Sequence, residues 1–411
     1  MENKYGQESS PPLNPLPNKR VNRPLSIASR MWVAVDELYP PYWTGLIFEG
    51  HGSINQPTWQ EAIHIASEAN LGSRLVLKGH LANAHWVDSG QSPLLRVVDG
   101  RTFDGMSSEG LLPLLRTSDV RQGPNAEVLL LEGDPLRIMF RAHHALMDFR
   151  GTLTWVEDIF RVLKGLVPIG SDYLTIENDL LHLPDKNLYD PPAFDFIAPT
   201  GPADLNETGF IWRRFSVKGN YSKLLPRLMI LTARAAWRHQ EGPVRFGIPV
   251  DLRSRQPGLR STSNLANAIY ITVRPESTVD ELAKEMQQRL KERNDGKLNW
   301  EDKLIPYVPI KVLKRILQKD EQKRLVTNKF RFSGVYSNGG RMDLEPFTGG
   351  GFIPSAFFAL PTAFGSLPFS VGISGHHDIT EYVFYLPQAF ASQGRLEEII
   401  DYIFTELDRM E

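Results

Sequence analysis

The chain has no cysteine among its 411 residues. That excludes disulfides, thiolate zinc sites and a cysteine nucleophile, and it suits a reducing compartment. No stretch approaches the roughly 20 apolar residues of a membrane-spanning helix, and no apolar h-region of a secretory signal follows the N-terminus. Charge of one sign is also missing. The formal net charge is −2, so no global field would hold the chain on nucleic acid or an anionic membrane. The expectation is a cytoplasmic protein, most simply a monomer, with no nucleic-acid partner and no membrane span. Three catalytic signatures are absent too: a Ser nucleophile elbow, a phosphate-cradling glycine loop and a dinucleotide fingerprint.

What is present is ordinary in bulk and uneven in detail. Hydrophobic residues make up 41% and charged residues 23%, the balance of a packed soluble domain, and the length suggests two lobes. Residues 1–23 are polar, with Pro11, Pro12, Pro15 and Pro17, and read as a flexible leader. Between residues 168 and 205 the composition shifts to Pro, Asp and Asn. This places an N-terminal lobe at 24–190, a linker at 191–205 and a C-terminal lobe at 206–411. Short apolar runs at 46–52, 75–77, 94–98, 128–131, 136–142, 210–217, 244–250, 268–273, 334–338, 369–373 and 381–386 read as strands. Helical spacing recurs at 57–69 (with Thr58 as its cap), 151–166, 221–239, 279–293 and 395–410. Strands and helices mixed in both halves indicate an α/β fold.

One stretch concentrates chemistry. The strand run 136–142 ends on His143 and His144, Asp148 follows, and a helical pattern begins near Gly151. Histidine ionises nearest neutrality, so His144 at the mouth of a strand is a candidate base. By residue chemistry alone such a pair is more often a satisfied structural pair than a catalytic one. Asp148 could orient an imidazole, cap the following helix or pair with a distant cation. No second cluster supplies further ligands at metal-like spacing, so no metal is expected. His376, His377 and Asp378 fall between two strand runs and read as a solvated hairpin tip.

The string HHALMD, residues 143–148, resembles the His-His-x-x-x-Asp-Gly signature of the condensation-domain superfamily. That superfamily contains nonribosomal peptide synthetase condensation domains and chloramphenicol acetyltransferase-like acyltransferases. Further segments resemble the family in the same order: residues 24–32, Gly247 to Arg253, Ser263 to Asn267, and Ser337 to Leu344. The resemblance implies two chloramphenicol-acetyltransferase-like lobes in a V with a central tunnel. It also implies a free-standing condensation-type acyltransferase that moves an acyl group from a phosphopantetheine thioester to an amine or hydroxyl acceptor. The donor would be an acyl or peptidyl carrier protein or acyl-CoA, a co-substrate rather than a bound cofactor. In that scheme His144 is the base or orienting acceptor, His143 supports it, and Asp148 is structural through a salt bridge to Arg253. Phe149, Gly151, Asn264, Asn267, Ser337 and Asn338 would line the tunnel. Phe149 departs from the pattern, which has glycine there. Either the loop is rearranged around Gly151, or Phe149 narrows the tunnel, or the chain is a non-catalytic module that binds a carrier or synthetase partner.

Overall fold

A computed structural model describes residues 22–181, 195–219, 221–293 and 301–410. Residues 1–21 of the expected leader and 191–194 of the expected linker lie outside the described residues. Arg23, grouped with the leader by composition, is only 2% exposed and donates to Ser263 Oγ at 2.6 Å. Phe196, Ile197 and Ala198 are buried, the last two in the core of the C-terminal half, so the linker reading does not extend to them.

Two large sheets organise the chain. The first has five strands in the order Phe352–Leu360, Trp43–Gly52, Leu136–His143, Ala126–Glu132, Leu95–Asp99. Its pairs are antiparallel except the last, which is parallel. Along Leu136–His143 the side chains alternate between two buried surroundings, as a strand's period of two requires. Ile138, Phe140 and Ala142 join a core with Trp59, Trp155, Ile159 and Phe160 of the helices Gln56–Ala69 and Phe149–Leu163. Met139 turns to the opposite face. The cap of Gln56–Ala69 is Asn55, not Thr58. Its side-chain oxygen accepts from the Thr58 N–H at 3.0 Å, and Pro57 in the first turn needs no such partner.

The second sheet has six strands, ordered Ala266–Val273, Val244–Asp251, Gly334–Met342, Ser370–His376, Ile379–Pro387, Phe210–Lys218. Helices Leu224–His239, Val279–Lys291 and Arg395–Arg409 cover it with Leu231, Leu282, Leu396, Ile400 and Ile403. Residues beyond 206 also build the first core, among them Leu344, Phe347, Phe352 and Phe357. Phe352–Leu360 leaves the C-terminal half and pairs with Trp43–Gly52, from Phe352↔Gly52 to Leu360↔Gly45. Its phenylalanines explain the placement: Phe352 and Phe357 enter the first core, and Phe358 enters a third core between the sheets.

That third core brings Ile47, Leu129 and Met139 of one sheet against Trp212 and Val383 of the other. Beside it runs a buried ion-pair chain. Glu49 takes Arg137 at 2.7 Å and Arg214 at 2.6 Å, and Arg214 also grips Glu381 at 2.8 Å. His376 belongs to this chain, with Nε2 3.0 Å from Glu381 and 1% exposure. The solvated-tip reading therefore fails for His376, because the turn takes only residues 377–378 and leaves it as the last residue of its strand. No helix among the described residues is long and apolar enough to cross a membrane.

Candidate functional site

His143 ends the central strand of the five-stranded sheet, and the loop from 144 to 147 carries the chain into the helix Phe149–Leu163. Buried irregular backbone must satisfy its polar groups outside any ladder. The His144 N–H donates to the Tyr42 carbonyl at 3.1 Å, and the Leu146 N–H to that of His143 at 2.8 Å. The remaining partners come from the segment around residues 261–265. Asn264 Nδ2 donates to the His144 carbonyl at 2.6 Å, and the Asn264 N–H donates to the Leu146 carbonyl at 2.9 Å.

Asp148 closes the loop and caps the helix: its Oδ1 accepts the Gly151 N–H at 2.6 Å. Arg253 donates to both of its oxygens, at 3.0 and 3.1 Å, and the Leu265 N–H donates to Oδ2 at 2.7 Å. Arg253 itself is held by the carbonyls of Ser261 and Ser263 and by Asp251. Burial works against the charge on Arg253, but Asp148 and then Asp251 outweigh it, and the guanidinium pKa is raised. A bidentate fork of this kind fixes direction as well as charge.

Gly151 is required by close approach. A Cβ there would stand 2.4 Å from the Thr262 carbonyl oxygen and 2.9 Å from that of Ser263. Gly151→Ala is expected to cost about 1–3 kcal/mol by overpacking, measured as a lowered urea midpoint. An unchanged midpoint would show that the 261–263 segment yields freely.

The two histidines have different surroundings. His143 is fully buried, and its Nδ1 accepts the Ala145 N–H at 3.1 Å. The neutral ring therefore carries its hydrogen on Nε2, which lies 3.5 Å from Asp36 Oδ2. His144 is half-buried and framed by aromatic rings: Trp32 at 5.3 Å and Tyr42 at 5.5 Å between centroids, with Phe364 behind Trp32 at 6.3 Å. Its Nδ1 has no hydrogen-bond partner among the described residues.

Burial pushes the His144 imidazole down to about 4, against the upward pull of the Asp148 carboxylate. It is therefore neutral at physiological pH. The sign for stability follows from a folded value of about 4 below the ordinary 6.5. Between these values the native protein binds fewer protons than the unfolded chain. Stability is thus complete above the higher value and falls by about 3 kcal/mol as pH drops to the lower. Urea unfolding of the wild type and His144→Gln at neutral pH and at about pH 5 checks this. The wild type should lose more stability on acidification, and parallel losses would contradict it.

Phe149 is the first residue of its helix, and its ring lies against the C-terminal half. A Cβ on Gly339 would stand 2.9 Å from the ring, and Phe357 lies 6.3 Å away. Phe149 thus fills space between its helix and the strand Gly334–Met342, while Gly151 is where the helix meets the 261–263 segment. Asn264 joins the histidine loop. Asn267, Ser337 and Asn338 do not, since none is hydrogen-bonded to it among the described residues. Asn267 pairs with Val250 along its strand, Ser337 faces Gly372 in the ladder, and Asn338 is exposed with its side chain on the Gly340 N–H. Trp32 and Tyr42 frame His144; Trp32 ends the family-like segment 24–32, whereas Tyr42 carries no motif and its aromatic bulk reads equally as core. No group of three or more metal-ligating side chains gathers among the described residues.

No family model and no curated protein matches the chain. Solved structures do match. A variant of the starter condensation domain of rhizomide synthetase, in complex with C8-CoA and Leu-SNAC, covers 94% of this chain and 94% of its own at 16% identity and TM-score 0.62. The condensation domain of the monacolin K polyketide synthase MokA covers 95% and 98% at 11% identity and TM-score 0.60. An epimerization domain of tyrocidine synthetase B covers 94% and 95% at 12% identity and TM-score 0.59. The fold is condensation-domain-like over nearly the whole chain.

Proposed function

We propose that the protein is a condensation-type acyltransferase that joins an acyl group, delivered as a phosphopantetheine thioester on a carrier protein or CoA, to an amine or hydroxyl. The fold serves more than one reaction, since one similar structure is an epimerization domain. His144, rather than the fold, therefore carries the assignment. Its ring is neutral, its carbonyl is pinned by Asn264, and with Nδ1 closed off from solvent the acceptor role falls to Nε2. A neutral imidazole can accept a hydrogen bond from an attacking N–H or O–H, which places the nucleophile's lone pair toward the thioester carbonyl.

The low basicity defines the role. An imidazole depressed to about 4 is a poor permanent proton sink and a good orienting acceptor. The thioester is already activated, so no covalent enzyme intermediate is needed. Asp148 and Arg253 lie behind the loop and hold it; they do not share in proton transfer.

The test is direct. The purified chain is incubated with a panel of acyl-CoA and acyl-carrier thioesters and with amines and alcohols, and amide or ester products are sought by mass spectrometry. A product that requires both partners and is lost in His144→Ala supports acyl transfer. Tight carrier binding with no product from any pairing would instead favour a binding module, a reading consistent with the Phe149 ring packed against Gly339.

A further inference from the structure

Two residues before His143, on the same face of its strand, stands Arg141, which is 1% exposed. Its Nε donates to Glu127 Oε2 at 2.7 Å and its Nη2 to the Arg116 carbonyl at 2.6 Å. The same Glu127 also serves Arg96, whose Nε meets Oε1 at 2.7 Å. Two guanidiniums thus share one carboxylate. The carboxylate beside His143, Asp36, accepts the Tyr42 N–H at 2.7 Å and lies 3.5 Å from the His143 Nε2.

Arg141 Nη1 has no partner among the described residues, although it is closed off from solvent. The guanidinium carbon stands 4.4 Å from the centre of the Trp43 ring, and Trp43 Nε1 is likewise buried without a partner. Both groups only donate. A buried donor left unmatched is costly, and a buried surplus charge more so. Trp43 is the register partner of His143, so this pair of free donors adjoins the histidine loop.

We propose that Arg141 and Trp43 form a subsite for a carboxylate carried by one of the two substrates. This rests on the acyl-transfer reading. One surplus positive charge is matched by a monoanion, whereas a phosphate monoester carries nearly twice that charge. A planar carboxylate offers in-plane acceptors to a guanidinium edge and to an indole N–H together. The carboxylate belongs either to the far end of a dicarboxylic acyl donor or to an amino-acid acceptor, and the subsite would set its distance from His144.

Two matched pairs of probes separate these sources. Adipoyl-CoA is compared with hexanoyl-CoA as donor, and phenylalanine with phenethylamine as acceptor. In one arm the wild type should favour the carboxylate-bearing probe in kcat/KM by at least about 30-fold. Arg141→Met should abolish that preference while retaining turnover of the neutral probe. Trp43→Phe keeps an aromatic face for Arg141 and removes the N–H with the smaller indole ring, so it reports on the subsite even if Arg141→Met fails to fold; it should lower the preference several-fold. Equal use of charged and neutral probes by the wild type, or equal loss of both in Trp43→Phe, overturns the subsite. If no pair gives product, acyl transfer itself fails, and calorimetry with adipate and phenylalanine against hexanamide and phenethylamine decides the subsite separately. Carboxylate-selective binding weakened in Trp43→Phe sustains it, and unselective or absent binding overturns it.

Discussion

Asp148→Ala will destabilise the protein by about 3–5 kcal/mol, the usual cost of removing one partner from a buried ion pair. Asp148 accepts four hydrogen bonds at once: two from Arg253 and one each from the N–H groups of Gly151 and Leu265. Its loss leaves Arg253, itself 7% exposed, with only the more exposed Asp251 as a counter-charge. It also removes the cap of the helix that follows, commonly worth about 1 kcal/mol. Asp148→Asn keeps an acceptor for the cap and loses only the charge, so it should fall between. The measurement is urea unfolding of these variants and of Arg253→Met, alone and combined. Strong coupling between the two positions is expected, and additive losses would show that the fork is not a unit.

His144→Ala will lower acyl transfer by about 100- to 10,000-fold, the range that a positioned proton acceptor contributes, while leaving the loop in place. The reason lies in which atoms hold the loop. Asn264 and Tyr42 bind the backbone of His144, not its ring, and the ring's Nδ1 makes no hydrogen bond among the described residues. Removing the side chain therefore spares the Asn264 and Tyr42 contacts and gives up only the ring's own contact with the Met147 backbone. Urea unfolding at neutral pH should change far less than in Asp148→Ala, and thioester binding should persist. Turnover within a few-fold of wild type would remove His144 from the chemistry. A loss of activity matched by an equal loss of stability would make it structural.

The wild-type pH profile offers a second discriminant. An imidazole near 4 does not titrate between neutrality and mild acid, so any fall in turnover there must arise from another group.

Much of this could be read before any geometry was known. The short apolar run at 136–142, the apolar period after Gly151 and the motif at 143–148 located a strand, a helix and the loop between them, because run length and a period of 3.6 are local consequences of backbone geometry. The strand Phe352–Leu360 was not legible as part of the first sheet, because its partner lies some 300 residues away and its sequence, apolar on both faces, names no neighbour. His376 was misread for the same reason: whether a histidine beside a turn is solvated depends on what packs over it, and Glu381 and Arg214 do.

For the stretch from His143 to Gly151, the sequence by itself determined the residue types and their order: two histidines, a carboxylate, and a glycine where a helix must come close to another segment. Tertiary structure alone decided their states. Packing beneath Trp32 and Tyr42 depresses His144, and a segment more than a hundred residues away supplies the loop's hydrogen bonds. Spacing encodes which backbone a residue sits on, but burial and partner distance set its charge, and these exist only once distant segments have met.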